Sequence, residues 1–192
     1  MLKKMRGFTL IELLIVVAII GILAALLIPN ALAAIQKAKQ KTAMKEIMTM
    51  STGGMDYITD HGDWSLVAQD GQLTASTDPF PANIANFYIK TCPINDPWNH
   101  GYYIHCGEAA TEAVVSGADP LNIGNDDFVI LSLGRDGITG PTYDASTYQE
   151  ATPEAGFYNV SGMADFDEDL VAWAGNWIVG PRTALVQSAT TP

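Results

Sequence analysis

The sequence predicts an α+β chain: one long N-terminal helix packed on a small antiparallel β-sheet, with long loops between strands. Three observations lead there. Met1 to Ile28 joins a short basic head to an apolar run of about twenty residues, long enough to cross a bilayer as a helix. Mixed small, apolar and charged positions at helical spacing continue from Asn30 toward His61. Beyond that point the apolar runs are short and lie between clusters of Gly, Pro, Asn and Asp, as strands do.

The first element divides at Pro29. Lys3, Lys4 and Arg6 precede the apolar run, so the positive-inside rule keeps the head in the cytoplasm and exports the C-terminal side. Glu12 lies within that run, where a charge is costly and is by default a functional candidate. Three readings fit the N-terminus. One is a secretory signal cut near Ala31-Leu32-Ala33, and another is a plain one-span anchor. The third is cleavage on the cytoplasmic side after Gly7, which leaves the apolar helix attached. Pro29 removes an intrahelical hydrogen bond, so a kink or melted segment is expected near Ala24 to Pro29. Lys37, Lys39, Lys41 and Lys45 form a solvated or headgroup-facing side. Gly53-Gly54 weakens the helix by roughly 1 kcal/mol per glycine, and Gly62 is a plausible cap. One helix from about Phe8 to His61, roughly 80 Å long at 1.5 Å per residue, is therefore expected.

Charge is unevenly placed. The net charge is −11, yet seven of the ten basic residues precede residue 47, and only Lys90, Arg135 and Arg182 lie beyond it. Phosphate binding needs basic patches, so the acidic C-terminal part argues against nucleic acid as a partner. It suits a solvated exported surface or one that holds divalent cations. Cys92 and Cys106 make an even count in a domain that reads as exported, which favours a disulfide. A metal reading through Cys92, His100, His105 and Cys106 is also available, but its spacing fits no usual zinc pattern.

Residues 63–90 read as an irregular connection, with Asp78-Pro79-Phe80-Pro81 as a turn or extended piece. Gly101 to Ile104 reads as a strand after the turn signals Asn95-Asp96-Pro97 and Asn99-His100-Gly101. Residues 107–125 look like an inserted loop. Asp126 to Leu133 is the best strand in the chain, a continuous apolar and β-branched run. Asp165, Asp167, Glu168 and Asp169 form an acidic group. Its alternation resembles the start of an EF-hand loop, but Leu170 stands where that loop needs glycine, so a true EF-hand is excluded. Asn159-Val160-Ser161 fits a glycosylation acceptor on its three residues alone.

Gly7-Phe8-Thr9-Leu10-Ile11-Glu12-Leu13-Leu14 resembles the cleavage and methylation signal of type IV pilins and type II secretion pseudopilins. Gly21 and Pro29 also sit at spacings similar to that family's. The resemblance implies cleavage between Gly7 and Phe8, N-methylation of Phe8, and an assembly role for Phe8, Glu12 and Pro29, where filament helices of the family unwind. Asp96-Pro97-Trp98-Asn99-His100-Gly101-Tyr102 resembles the turn before the first strand of the major pseudopilins, although His100 and Gly101 depart from the usual glycine-proline region. Ser132-Leu133-Gly134-Arg135-Asp136-Gly137 resembles the motif closing their second strand, and Glu168 to Trp173 resembles their acidic, tryptophan-containing end. This implies a calcium ion held by Asp136, by main-chain carbonyls at residues such as Leu133 and Ile138, and by the later acids Asp167, Glu168 and Asp169. Gly175-Asn176-Trp177 offers a second register for that end.

The resemblance divides the chain into a cleaved leader (1–7), a membrane and filament-core helix (8–29), an amphipathic second half (30–61) and an exported globular domain (62–192). It implies a structural, non-enzymatic subunit of a filament, closest to the major pseudopilin of type II secretion. Its partners would be further copies, other pseudopilins, a prepilin peptidase, and an inner-membrane assembly platform with its ATPase. A type IV pilus subunit for adhesion, motility or DNA uptake is the neighbouring alternative. A membrane-anchored calcium- or carbohydrate-binding module is an alternative of another class. A hydrolase built on paired carboxylates has less support, because the sequence carries no nucleophile elbow, zinc-protease helix or dinucleotide loop.

Overall fold

The computed structural model describes residues 8–64 and 68–182 and resolves two compact units, Met1–Gln36 and Lys37–Pro192. The leader Met1 to Gly7 and the tail from Thr183 lie outside the described residues. Helix α1, Leu10–His61, contributes to both units.

In the first unit, α1 is apolar on all sides, and its large side chains from Leu10 to Ile28 are exposed. Of the kink or melted segment expected near Pro29, the melted segment is absent, and the backbone is helical on both sides of that residue. Proline deletes only one donor, and the residues around it are helix formers. Asn30 Nδ2 donates to the Leu26 carbonyl at 3.3 Å, so a side chain supplies a bond beside the missing one.

In the second unit, α1 buries Gln40, Ala43, Ile47, Met50, Gly54 and Tyr57, which recur three or four residues apart along one face. That face packs on a six-stranded sheet. Its strands are β1 (Asp70–Gln72), β2 (Tyr103–Cys106), β3 (Phe128–Ser132), β4 (Phe157–Tyr158), β5 (Leu170–Trp173) and β6 (Asn176–Pro181). The spatial order is β1-β2-β3-β5-β6-β4. Neighbours are antiparallel except β4 and β6, which run parallel, so the sheet is mixed rather than purely antiparallel.

β3 is buried at every position, which accounts for its unbroken apolar sequence. Phe128 and Ile130 enter the α1-side core with Ile47, Met50, Phe80, Ile104 and Leu170. Val129 and Leu131 face a second core with Val115, Ile123, Tyr158, Val171 and Val179. Each such side chain contributes about 1.5–3 kcal/mol on burial. The second face needs a cover, and the inserted segment supplies part of it. A short helix at Pro79–Ile84, α2, and a second at Glu108–Val114, α3, lie between strands. Helix α3 and a short turn at Pro120–Asn122 lead Val115 and Ile123 onto the sheet. Helix α2 replaces the turn or extended piece expected there. Pro79 and Pro81 fall in its first turn, where the backbone N–H groups have no intrahelical acceptor, so both are tolerated.

Gly53 and Gly54 are packing positions. A Cβ on Gly54 would lie 3.0 Å from Phe128 Cζ and 3.4 Å from Trp64 Cζ2, so the missing side chain lets α1 approach the rings. Gly54→Val should therefore destabilise the domain by about 1–3 kcal/mol through overpacking, even though it removes a poor helix former. Urea unfolding of the detergent-solubilised chain measures this, and an unchanged or raised midpoint would refute the packing role.

Candidate functional site

The N-terminal site is built on the first turn of α1. Gly7 lies outside the described residues, and Phe8 is exposed. Glu12 Oε2 accepts from the Thr9 N–H at 2.9 Å and from Thr9 Oγ1 at 2.6 Å. Thr9 Oγ1 in turn accepts from the Glu12 N–H at 3.3 Å. This reciprocal arrangement is a capping box, which satisfies donors that a helix start leaves unpaired. The Thr9-x-x-Glu12 spacing was a legible signal for it. Helix α1 is long and apolar enough to cross a membrane.

The second site lies where the loop after β3 meets the acidic segment before β5. Asp96 is nearly buried. Its carboxylate accepts from the N–H groups of Trp98 and His100, each at 2.9 Å, and from Ser132 Oγ at 2.7 Å. Those bonds join the turn before β2 to the end of β3. Gly134 has φ +68°, and any Cβ there would come within 2.8 Å of the Glu168 carbonyl, so the close approach requires glycine. Arg135 donates its backbone N–H to the Phe166 carbonyl at 2.7 Å and binds Asp167 with two guanidinium bonds of 2.7 Å.

The expected calcium donors therefore separate. Asp167 is an ion-pair partner of Arg135 and is not grouped with the other acids. Glu168 and Asp169 turn toward the loop 138–144. Glu168 Oε2 accepts from the N–H groups of Thr142 and Tyr143 at 3.1 and 2.7 Å, and Asp169 Oδ1 accepts from Gly140 N–H at 2.9 Å. Asp136 Oδ1 accepts from Ile138 N–H at 3.0 Å, at an exposed bend. Burial pushes the Asp169 carboxyl up to about 8. The Gly140 bond opposes the shift, while the charges of Asp144, Glu168 and Asp136 add to it. Among the described residues, no three Asp, Glu, His or Cys side chains converge closely enough to hold a metal ion. A cation here would need main-chain carbonyls beside Asp169, Glu168 and Asp136, a donor chemistry that suits calcium. β5, Leu170–Trp173, begins directly after the acidic pair and ends on Trp173. Ala174 and Gly175, with φ of 44° and 82°, form the two-residue turn to β6, so Gly175-Asn176-Trp177 belongs to a hairpin.

The expected disulfide is not formed: Cys92 and Cys106 are both free thiols. Both contribute to the α1-side core, where they pack as small apolar groups. Burial pushes the Cys92 thiol up to about 12, far from the reactive thiolate. The four-residue zinc reading also fails. His100 Nδ1 lies 3.2 Å from the Gly134 carbonyl, whereas His105 pairs with Asp70 at the far side of β2.

An apolar helix with a Thr–Glu start, continuing into a sheet-packed domain, defines a pilin-like subunit. The family described as "Prokaryotic N-terminal methylation motif" matches residues 2–28. The chain is 37% identical over 126 residues to the type II secretion system core protein G of Vibrio cholerae serotype O1, covering 62% of this chain and 86% of that protein. It is 32% identical over 182 residues to the core protein G of Dickeya chrysanthemi, covering 93% of this chain and 90% of that protein. For the Escherichia coli K12 core protein G the identity is 30% over 129 residues, with 65% and 88% covered. No solved structure matches the chain. The chain belongs to the type II secretion system core protein G family, the major pseudopilins.

The Asp169 environment has a pH signature. Between its ordinary value of 3.8 and about 8, the folded state binds more protons than the unfolded state. Stability without divalent cations should therefore fall as pH rises through that window. Asp169→Asn should flatten the dependence. Urea midpoints at about pH 5 and about pH 8.5 test it, and an equal slope in wild type and variant would refute it.

Proposed function

We propose that this chain is a processed structural subunit that polymerises into a type II secretion pseudopilus and helps export folded proteins. In this reading a prepilin peptidase cuts after Gly7, and Phe8 becomes the N-methylated N-terminus. The helix 8–29 holds the subunit in the inner membrane with its C-terminal domain on the periplasmic side. An assembly platform and its ATPase then drive it into a filament with other copies and other pseudopilins. The observation that carries the reading is the all-round apolar surface of α1 from Leu10 to Ile28 with one carboxylate, Glu12, near its start. Such a surface is stable only in lipid or against other helices. A carboxylate there invites a cationic partner, and the freed Phe8 amine of a neighbouring copy supplies one.

Glu12→Gln separates charge from capping, because glutamine also serves in a capping box. It should abolish filaments while leaving cleavage and methylation intact. Mass spectrometry should find the variant beginning at Phe8 with one extra methyl group. Normal filaments from this variant would refute the pairing.

We also propose calcium as a stabilising ligand of the loop 133–144, held by Glu168, Asp169 and Asp136 with main-chain carbonyls such as those of Leu133 and Ile138. The buried Asp169, surrounded by like charges, supports this reading. Bound calcium would favour the ionised carboxylates and tie the loop to β5. At pH 7.5, saturating calcium should raise the melting temperature of the wild type, and Asp136→Ala should lose most of the shift. No shift in wild type would remove calcium from the reading.

A further inference from the structure

The free face of α1 in the second unit carries an ordered charge pattern. Lys37, Lys41 and Lys45 are exposed and four residues apart, and Thr49 and Thr52 come next on the same side. Asp56 and Asp60, again exposed and four apart, complete the row. The threonine hydroxyls donate to their own helix, to the carbonyls of Lys45 and Met48 at 2.9 Å, and form a neutral spacer. The two ion pairs among the described residues involve neither these lysines nor these aspartates. Tyr88 Oη donates to Asp60 Oδ2 at 2.9 Å, which holds that carboxylate at the helix surface.

Within one chain this pattern is unfavourable. Like charges four residues apart repel. Asp60 also stands in the last turn, at the negative end of the helix dipole. Both costs are relieved if the row meets its own complement on another copy. Because both charge groups share the four-residue spacing, two ion pairs form at once at an offset of fifteen residues (Lys41 with Asp56, Lys45 with Asp60) or nineteen (Lys37 with Asp56, Lys41 with Asp60). At 1.5 Å per residue these offsets are axial shifts of about 22 or about 28 Å.

The angular positions add a second condition. At about 100° per residue, the mean direction of the aspartates is turned by about 80° from that of the lysines. Parallel helices can face these groups toward each other only if one copy is also rotated by about 100° relative to the other. Shift plus rotation is a screw operation. Its contact is head-to-tail and does not close, and such contacts build helical filaments.

We propose that the lysine row Lys37, Lys41 and Lys45 of one copy docks on Asp56 and Asp60 of another, and that this contact sets the axial stagger of the filament. It rests on the filament reading above. It differs from the Glu12 pairing in lying outside the apolar helix, on the solvated domain. Complementary exposed charges fix register and speed association more than they add affinity. They are also screened by salt.

The test uses the full chain, produced with its processing and assembly machinery, with filaments sheared from cells and counted by electron microscopy. Lys37→Glu with Lys41→Glu and Lys45→Glu forms one variant, and Asp56→Lys with Asp60→Lys forms another. Each should lose about tenfold or more of the filaments, since like charges then face each other across the contact. The combined reversal should restore them. Membrane levels of each variant, equal to wild type, exclude misfolding as the cause of loss. Intact filaments in either single-sided variant would overturn the proposal. So would a failure of the combined variant at normal membrane level. Loss with the lysine reversals alone would assign the lysines to anionic lipid headgroups and likewise overturn it. In all these outcomes wild-type filaments persist. Their absence from wild type would instead reject the filament reading, and the contact with it.

Discussion

A helix that is apolar on every side has no stable place in water, and the chain answers to that constraint first. The exposed side chains from Leu10 to Ile28 demand lipid or other helices, and the backbone must satisfy itself within the helix. The one carboxylate near the start, Glu12, is tied to Thr9 rather than left open. From Lys37 onward the same helix changes character. It buries one face against a sheet and keeps charge on the other, so one continuous element supplies both an exposed apolar surface and part of a domain core.

The domain solves a second problem, that of a central strand apolar on both faces. β3 cannot sit at a solvated surface. α1 covers one side, and α3, the Pro120–Asn122 turn and the segment around Tyr158 cover the other. The glycines of α1 belong to the same solution, since Phe128 fills the space that a Cβ at Gly54 would take. The ends of β3 and β5 then bring the Asp96 turn, Gly134 and the Glu168–Asp169 pair into one neighbourhood. The acidic loop is thus positioned by the core rather than by its own backbone.

Much of this was legible in the residues. The apolar run, the amphipathic spacing beyond Asn30 and the continuous strand Asp126 to Leu133 each carry a period or a length that local physics decodes. What escaped depends on tertiary context. α2 was hidden because two prolines read as a breaker, although both occupy a first turn that tolerates them. The separation of Asp167 from Glu168 and Asp169 depends on where Arg135 stands, and no spacing rule contains that. The cysteines followed the statistics of exported domains toward a disulfide, but the packing gives both of them the role of small apolar side chains. The pairing of β4 with β6 joins residues about twenty positions apart, beyond the reach of any local pattern.

The capping box bears on the pairing proposed between subunits. Before assembly the Glu12 carboxylate is not an empty acceptor, because Thr9 occupies it. In the proposed pairing a neighbour's amine replaces hydrogen bonds already made, so the driving force is the difference between two bound states. An exchange of that kind leaves the detached subunit with a satisfied acid to return to. Under that proposal the acid of a detached subunit is not left bare, which lowers the penalty for taking the assembly apart.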